Sequence, residues 1–385
     1  MTPSKGAQAT EGNRFSSVDR DFLKRCIRLA GRARGATSPN PMVGSMVVHG
    51  GEVVAQGYHH CAGSPHAEQL ALAAALGAAK GATLYTNIEP CCHHGRTPPC
   101  VEAIRAAGIE RVVACMADPD PRVDHRGFEF LRAAGIRVDV GELAEQAAGL
   151  NEAYLTFKRY RRPFFLAKAA ISLDGRMATS DGQSQWISGE QARRRGHRLR
   201  AVADAVLVGV GTVLADDPRL TARHARGPGP RYRVVLDASL RTPAEGKLLA
   251  ASAGQVLIFT TPGAPSAARQ RLEAAGAEVI EVEPDAGGRV AWDPVLSELA
   301  AREVMLVLLE GGSTVLTSAF EAGIIDKLFL IYAPLLIGGA AALSLWEGEG
   351  NVDLGAAPRL HKIRRFRLGE DWVVEGYLHP PQLFL

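Results

Sequence analysis

Pro65-His66-Ala67-Glu68 and Glu89-Pro90-Cys91-Cys92-His93-His94-Gly95-Arg96-Thr97-Pro98-Pro99-Cys100 are the two stretches on which the reading of this chain turns. One imidazole and two thiols, from His66, Cys91 and Cys100, can fill three of zinc's four tetrahedral positions. The fourth is left for water, which distinguishes a catalytic site from a closed structural one. Glu68 stands two residues from His66, near enough to handle protons without being needed as a ligand. Eight residues (92–99) separate the two thiols.

The flanking pattern places these residues. Ser64-Pro65 are helix-start residues and 67–79 is Ala/Leu-rich, so His66 and Glu68 fall in the first turn of a helix. Residues 99–107 form a second helix closed by Gly108, with Cys100 at its start. Unpaired N–H groups and the positive dipole end at such positions favour thiolate over thiol. Around them, 19–32 reads as a helix, 44–49 and 53–57 as a hairpin, and 82–88, 111–116 and 136–140 as strands.

The second half opens at Arg161-Arg162-Pro163. It sets strands at 164–171, 205–210, 232–237, 256–260, 278–282, 305–309 and 328–332 among helices at 191–202, 267–275, 294–301 and 314–322. That alternation implies a largely parallel sheet with cover on both faces. The expected division is a disordered tail at 1–15, a first domain at 16–150, a linker at 151–162 and a second domain at 163–385, with no internal repeat.

Composition limits the possibilities. A chain of 385 residues is long for one core, and 46% hydrophobic with 22% charged residues suits a globular protein of two domains. A formal charge of +3 argues against bulk nucleic-acid binding. Arg193-Arg194-Arg195 with Arg198 lacks aromatic interleaving and reads as a solvated helix face, so no nucleic-acid partner is expected. Residues 1–14 are polar and lack the apolar segment of a signal peptide. Six cysteines, three of them within ten residues, do not make a disulfide scaffold, and a reducing cytoplasm is the expected location. Residues 328–346 carry no charge, but Pro334 and Gly338-Gly339 would leave backbone groups unpaired in lipid. That stretch reads as core strand plus loop, and no membrane partner is expected.

Two readings of the metal residues stay open. A structural zinc would recruit a fourth ligand from Cys92, His93 or His94 and make the first half a zinc-stabilised binding module. A catalytic zinc lowers the pKa of its water to about 7, and Glu68 then carries the proton to a leaving amine, a role worth about 10²–10⁴ in rate. The reaction is hydrolytic deamination of an amidine-like ring carbon.

Together with Thr37-Ser38-Pro39-Asn40-Pro41-Met42-Val43-Gly44 and Gly57-Tyr58-His59, these stretches resemble the bifunctional deaminase/reductases of bacterial riboflavin biosynthesis. Other zinc nucleobase deaminases share the His-x-Glu and two-thiol order but place only two residues between the thiols. The filling Gly95-Arg96-Thr97-Pro98-Pro99 is that of the riboflavin family. The resemblance implies Asn40 as a substrate-binding residue and His59 at the pocket rim. Two positions depart from the family: Ser45 stands where Cys is common, and Asp120 in Asp118-Pro119-Asp120-Pro121 stands where Asn is usual. An Asp in a loop that touched a substrate phosphate would be repulsive.

In the second half, Glu310-Gly311-Gly312-Ser313-Thr314 follows a buried strand and precedes a helix N-terminus, which suits a phosphate. Gly209-Val210-Gly211-Thr212 lacks the third glycine of a dinucleotide fingerprint. With Lys168-Ala169-Ala170-Ile171-Ser172-Leu173-Asp174-Gly175-Arg176, Gln183-Ser184-Gln185-Trp186-Ile187 and Thr212-Val213-Leu214-Ala215-Asp216-Asp217-Pro218-Arg219-Leu220-Thr221, it resembles the reductase half of the same family. The fold so implied is a cytidine-deaminase-like three-layer α/β/α domain followed by a dihydrofolate-reductase-like α/β domain, with zinc and NADPH as cofactors. Implied NADPH contacts are Ala170, Trp186, Thr212, Asp216, Ser239 and the turn Gly311, Gly312, Ser313 and Thr314. Implied substrate contacts are Lys168, Ser184, Arg200, Leu220, Arg223 and Glu310, with Asp216 near the reacting carbon. The implied substrates are small pyrimidine ribosyl phosphates, whose phosphate the arginines would meet with charge-assisted donors. An oligomer of identical chains is expected. The competing enzyme reading is a nucleotide or tRNA deaminase fused to an unrelated reductase.

Overall fold

The computed structural model describes residues 15–94, 98–223, 225–348, 350 and 353–380. Apart from Phe15, the expected tail lies outside the described residues, as do Gly95, Arg96 and Thr97 of the long thiol gap. The chain divides into two units, one built from 15–33 and 41–151, the other from 34–40 and 152–380.

In the first unit, Ser16 caps the helix Ser17–Ala30: its hydroxyl accepts from the Asp19 N–H at 3.0 Å, and the Asp19 carboxylate accepts from the Ser16 N–H at 2.9 Å. Strands β1 (Gly44–His49), β2 (Glu52–Tyr58), β3 (Thr83–Thr86), β4 (Arg111–Ala114) and β5 (Arg137–Val140) form a sheet in the order β2-β1-β3-β4-β5. β1 runs antiparallel to both neighbours, while β3, β4 and β5 are parallel. Val47, Leu84, Ile104, Val112 and Leu131 lie at the centre of its core. Arg111 on β4 pairs with Asp19 at 2.7 Å and Asp139 at 2.8 Å, tying the first helix to the parallel edge. A helix at Arg126–Ala133 is absent from the sequence expectations. It is short and follows an Asp/Pro-rich run, so its apolar spacing is weak.

In the second unit, β6 (Phe164–Ser172), β7 (Arg176–Ala178), β8 (Ala205–Gly209), β9 (Tyr232–Leu236), β10 (Gln255–Thr260), β11 (Ala277–Glu281), β12 (Leu306–Leu309), β13 (Ile325–Ala333), β14 (Leu343–Ser344), β15 (His361–Leu368) and β16 (Asp371–Tyr377) follow in chain order. Nine of them make one sheet in the order β11-β10-β9-β8-β12-β6-β13-β16-β15. It is parallel from β11 to β13 and ends in the antiparallel pair β16-β15. Phe165, Leu207, Val234, Leu257 and Leu309 are central to its core. Of the uncharged stretch at 328–346, residues 328–333 lie in β13, between β6 and β16, and the remainder leaves this sheet as loop and β14. Among the described residues no helix is long and apolar enough to cross a membrane.

Two expectations change here. Residues expected as a linker carry the helix Glu152–Tyr160, which buries Tyr154, Leu155 and Phe157. Lys327 and the Tyr377 hydroxyl both reach the Glu152 carboxylate, at 3.3 and 2.5 Å, so this helix groups with the second unit. The segment 34–40 groups there too, with the Ser38 hydroxyl donating to Asp204 at 3.0 Å. The β15–β16 hairpin also escaped sequence reading. Lys362, Arg364, Arg365 and Arg367 hide the alternation of β15, and such charge is what discourages an edge strand from pairing with another chain.

Candidate active sites

Helix Ala67–Ala74 lies tight on β2 because Gly57 has no side chain. A Cβ there would come within 2.6 Å of the Ala67 carbonyl oxygen and 2.8 Å of the Ala71 nitrogen. This seats Glu68 at 3% exposure in the first turn. His66 is the capping residue, with extended backbone at φ −72° and ψ 160°, one position earlier than the first-turn expectation. Cys100 opens the helix Cys100–Ala106, and Cys91 lies in the loop after β3.

These elements bring the expected donors together. His66 Nδ1 is 3.3 Å from Cys100 Sγ and 3.4 Å from Cys91 Sγ, and the three ligand atoms lie within 4.8 Å of one another. Tetrahedral zinc with Zn–S near 2.3 Å and Zn–N near 2.0–2.1 Å requires N···S edges of about 3.5 Å, so the donor set fits the metal. Among the described residues the cluster holds these three groups alone. The Cys92 thiol turns away to the Arg122 carbonyl, at 3.4 Å.

Charge within the cluster is uneven. The hydrogen bond from the Cys100 thiol holds Cys91 well below the usual thiol range against its burial, and the contact with His66 adds to this. The neighbouring Cys91 and burial push Cys100 up. Burial raises Glu68 to about 7, and its Oε2 stands 3.6 Å from Cys100 Sγ. His59, expected at a pocket rim, is instead 2% exposed. Its ring meets His66 edge-on at 5.4 Å, its Nδ1 is 3.2 Å from the Pro65 carbonyl, and burial lowers its pKa.

Two buried asparagines that sequence reasoning missed shape the segment before β1. Asn151 accepts from the Met42 N–H at 2.8 Å, and Asn87 accepts from the Gly44 N–H at 2.8 Å while donating to the Met42 carbonyl. Asn40 falls in the 34–40 segment of the second unit, with its N–H donated to the Thr37 carbonyl at 2.7 Å. Asp120 is buried and turned into its own loop, where Arg122 meets its two oxygens at 3.0 and 2.7 Å. Its charge is thus met by a guanidinium. The Ser45 hydroxyl is buried with no hydrogen-bond partner among the described residues.

The second unit contains a cleft of about 1420 Å³. Lys168 and Ala170 on β6, Ser184, Trp186, Thr212, Asp216, Leu220, Arg223 and Arg200 line it, as do Glu310 and the turn from Gly311 to Thr314. At its floor, Arg200 Nε donates to Glu310 Oε2 at 2.8 Å, while Glu310 Oε1 is buried with no hydrogen-bond partner among the described residues. Burial opposes the Glu310 charge, but Arg200 and Lys168 outweigh it and hold the carboxyl below its ordinary pKa. Burial pulls Lys168 down in turn. The Leu220 side chain is 1% exposed and its backbone adopts φ 52°.

Asp216 accepts from Gln185 Nε2 at 2.8 Å, and the Gly312 N–H donates to Thr212 Oγ1 at 3.1 Å. The Ser313 and Thr314 hydroxyls both donate to the Glu347 carboxylate, Thr314 at 3.1 Å, and the Glu347 N–H donates to Thr317 Oγ1 at 2.8 Å. Ser239 is exposed in the turn after β9 and does not line the cleft, whereas its neighbours Ala238 and Arg241 do. The arginine run is not simply a solvated face: Arg193, Arg194 and Arg198 line the cleft, and Arg193 lies over the Trp186 ring at 4.7 Å. Lys247 and Arg289 are further cleft cations that no sequence motif marked.

Comparison with known proteins follows the same division. Residues 16–116 match the family described as the cytidine and deoxycytidylate deaminase zinc-binding region, and residues 163–374 match the RibD C-terminal domain. The riboflavin biosynthesis protein RibD of Bacillus amyloliquefaciens is 41% identical over 350 residues, covering 91% of this chain and 94% of the relative. That of Escherichia coli K12 is 39% identical over 356 residues, covering 91% and 96%. The solved structure of Acinetobacter baumannii RibD aligns with a TM-score of 0.85 at 33% identity, covering 94% of this chain and 98% of that one. A diaminohydroxyphosphoribosylaminopyrimidine deaminase/5-amino-6-(5-phosphoribosylamino)uracil reductase from Thermotoga maritima aligns with a TM-score of 0.81 at 32% identity, covering 94% and 98%.

Proposed function

Because this chain belongs to the RibD family, the deaminase/reductases of riboflavin biosynthesis, we propose the substrates and residue roles that its two sites would serve. The enzyme's first half is a zinc-dependent deaminase and its second an NADPH-dependent reductase. The matching reductase domain leaves no place for a fusion to an unrelated reductase.

The first substrate is 2,5-diamino-6-(5-phosphoribosylamino)pyrimidin-4(3H)-one, the compound class in the name of the Thermotoga relative. His66, Cys91 and Cys100 hold zinc, which when bound supplies a Lewis acid that makes water acidic near neutral pH. Glu68 takes a proton from the attacking water and returns it to the departing 2-amino group, so that water enters and ammonia leaves. Burial raises the proton affinity of the Glu68 carboxyl, and a bound zinc ion beside it would oppose that rise, so the group can both take and return a proton. Asn40 contacts the substrate. The closeness of Glu68 to the three gathered donors is the observation that carries this reading.

The second substrate is 5-amino-6-(5-phosphoribosylamino)uracil. When bound, NADPH would supply a hydride; its addition at C1 of the ribosyl group, with a proton taken up by the ring oxygen, would open the C1–O bond to give the ribityl chain. Ala170, Trp186, Thr212, Asp216, Ser239 and the turn Gly311–Gly312–Ser313–Thr314 are the proposed cofactor contacts. Lys168, Ser184, Arg200, Leu220, Arg223 and Glu310 are the proposed substrate contacts, supported for all of these except Ser239 by their place in one cleft. Both substrates are small molecules; no nucleic-acid partner, a cytoplasmic location and assembly into a homo-oligomer complete the proposal. The domain limits proposed are 16–150 and 163–385, with the helix Glu152–Tyr160 between them packed as part of the second unit.

Incubating the purified chain with the diaminopyrimidinone phosphate, with and without NADPH, tests this by product mass. Without NADPH the amino-to-oxygen exchange should appear alone. With it, two further hydrogens should be gained. Absence of the first exchange in zinc-loaded protein would overturn the substrate assignment.

A further inference from the structure

Glu89 stands immediately before the Pro90-Cys91 step and takes no part in the chemistry above. It is 3% exposed, and its two carboxylate oxygens collect three backbone N–H donors. Oε2 accepts from Asp118 at 3.1 Å and His125 at 3.0 Å, and Oε1 accepts from Phe128 at 3.1 Å. His125 caps the helix Arg126–Ala133 and Phe128 lies in its first turn, where a carboxylate is favoured. The same helix presses on the loop by backbone: a Cβ on Gly127 would fall 2.3 Å from the Pro90 carbonyl oxygen and 3.1 Å from Glu89 Oε1. Beyond this step the chain is held again, with the Cys91 carbonyl accepting from the Val101 N–H at 3.2 Å. Cys91 thus sits between two anchors, and only one of them comes from a helix that bears a ligand.

We propose that Glu89 is a positioning residue of the deaminase metal centre: by clamping residues 118–128 to the Glu89-Pro90 step, it sets where Cys91 Sγ stands relative to His66 and Cys100. All three partners are donors, so the site demands two acceptor oxygens. Glutamine would turn an NH₂ group toward one of them, and the step before Cys91 would shift to relieve it. The proposal rests on Cys91 being a zinc ligand, and outer interactions that orient ligands are worth about ten- to a hundredfold in metal affinity.

The test is zinc titration of the full chain after chelator treatment, together with the thiolate-to-metal absorption of the cobalt form. Glu89→Gln should weaken zinc about tenfold or more and shift the cobalt band, while NADPH-dependent reduction in the same chain persists. Gly127→Ala, which moves the same step from the helix side, should do likewise, and it decides the matter if Glu89→Gln does not fold. Unchanged zinc affinity and an unchanged cobalt band would overturn the proposal, even if the melting temperature fell, because Glu89 would then serve the fold alone. Cys91→Ser is the control for the ligand reading. If it retained wild-type zinc affinity, that reading would fail, and the result for Glu89 would be distinguishable from it.

Discussion

The deaminase centre gathers three donor atoms within 4.8 Å, contributed by side chains whose types the metal itself dictates. The reductase cleft, at about 1420 Å³, is lined from β6 to the residues after β14, and much of what it offers is backbone or charge balance. One site is compact and is expected to be brittle, since each proposed ligand fills a position that no other described group can take. The other is distributed, and a single substitution removes one contact among many. The difference predicts how unevenly the two activities respond to substitution.

The largest effect should come from Cys91→Ser. Losing a ligand forfeits Lewis-acid stabilisation of several kcal/mol, so deamination should fall by about 10³ or more. Reduction of supplied deaminated substrate should be untouched. Loss of both activities in a folded protein would show that the two sites are not separate. Glu68→Gln should retain zinc, by metal analysis, and lose about 10²–10⁴ in kcat. If it retained zinc and full activity, another group would be the proton carrier. In the cleft, Glu310→Gln leaves Arg200 and Lys168 without their buried counter-charge. Reductase kcat/KM should fall at least tenfold, about 1.4 kcal/mol, with deamination within twofold. An unchanged reductase would show that the Arg200–Glu310 pair supports neither substrate nor local structure.

What could be read from the chain follows the same contrast. His66, Glu68, Cys91 and Cys100 stand out in the chain because few residue types bind zinc and because two of the proposed ligands, His66 and Cys100, mark helix starts. Asn87, Asn151 and Glu89 do not, since they act on backbone N–H and carbonyl groups that no residue pattern announces. In the second unit, motifs mark the Gly311 to Thr314 turn, but which side of helix Glu190–Val202 faces the cleft depends on what packs against it. Arg193 therefore reads in sequence as a solvated charge, whereas in the fold it lies over the Trp186 ring. The helix Glu152–Tyr160 looked like a connection because Tyr154, Leu155 and Phe157 are too few to mark an amphipathic face unaided.

The smallest predicted effect concerns Glu347. Its carboxylate takes hydrogen bonds from the Ser313 and Thr314 hydroxyls at the start of helix Ser313–Glu321, where a cofactor phosphate is proposed to bind. Two anions cannot share that positive helix end, so NADP⁺ must displace the carboxylate or bind beside it against repulsion. A charge at a helix terminus is worth about 0.3–1 kcal/mol, and Glu347→Gln should therefore tighten NADP⁺ by about two- to fivefold in calorimetric titration. Ser313→Ala should weaken it, because the phosphate loses a donor. If both variants leave binding unchanged, the phosphate lies elsewhere in the cleft. If Glu347→Gln weakens binding while Ser313→Ala does too, the carboxylate holds the turn in shape for the cofactor. In that second case one residue, acting at a single helix end, would set part of the affinity of the whole cleft.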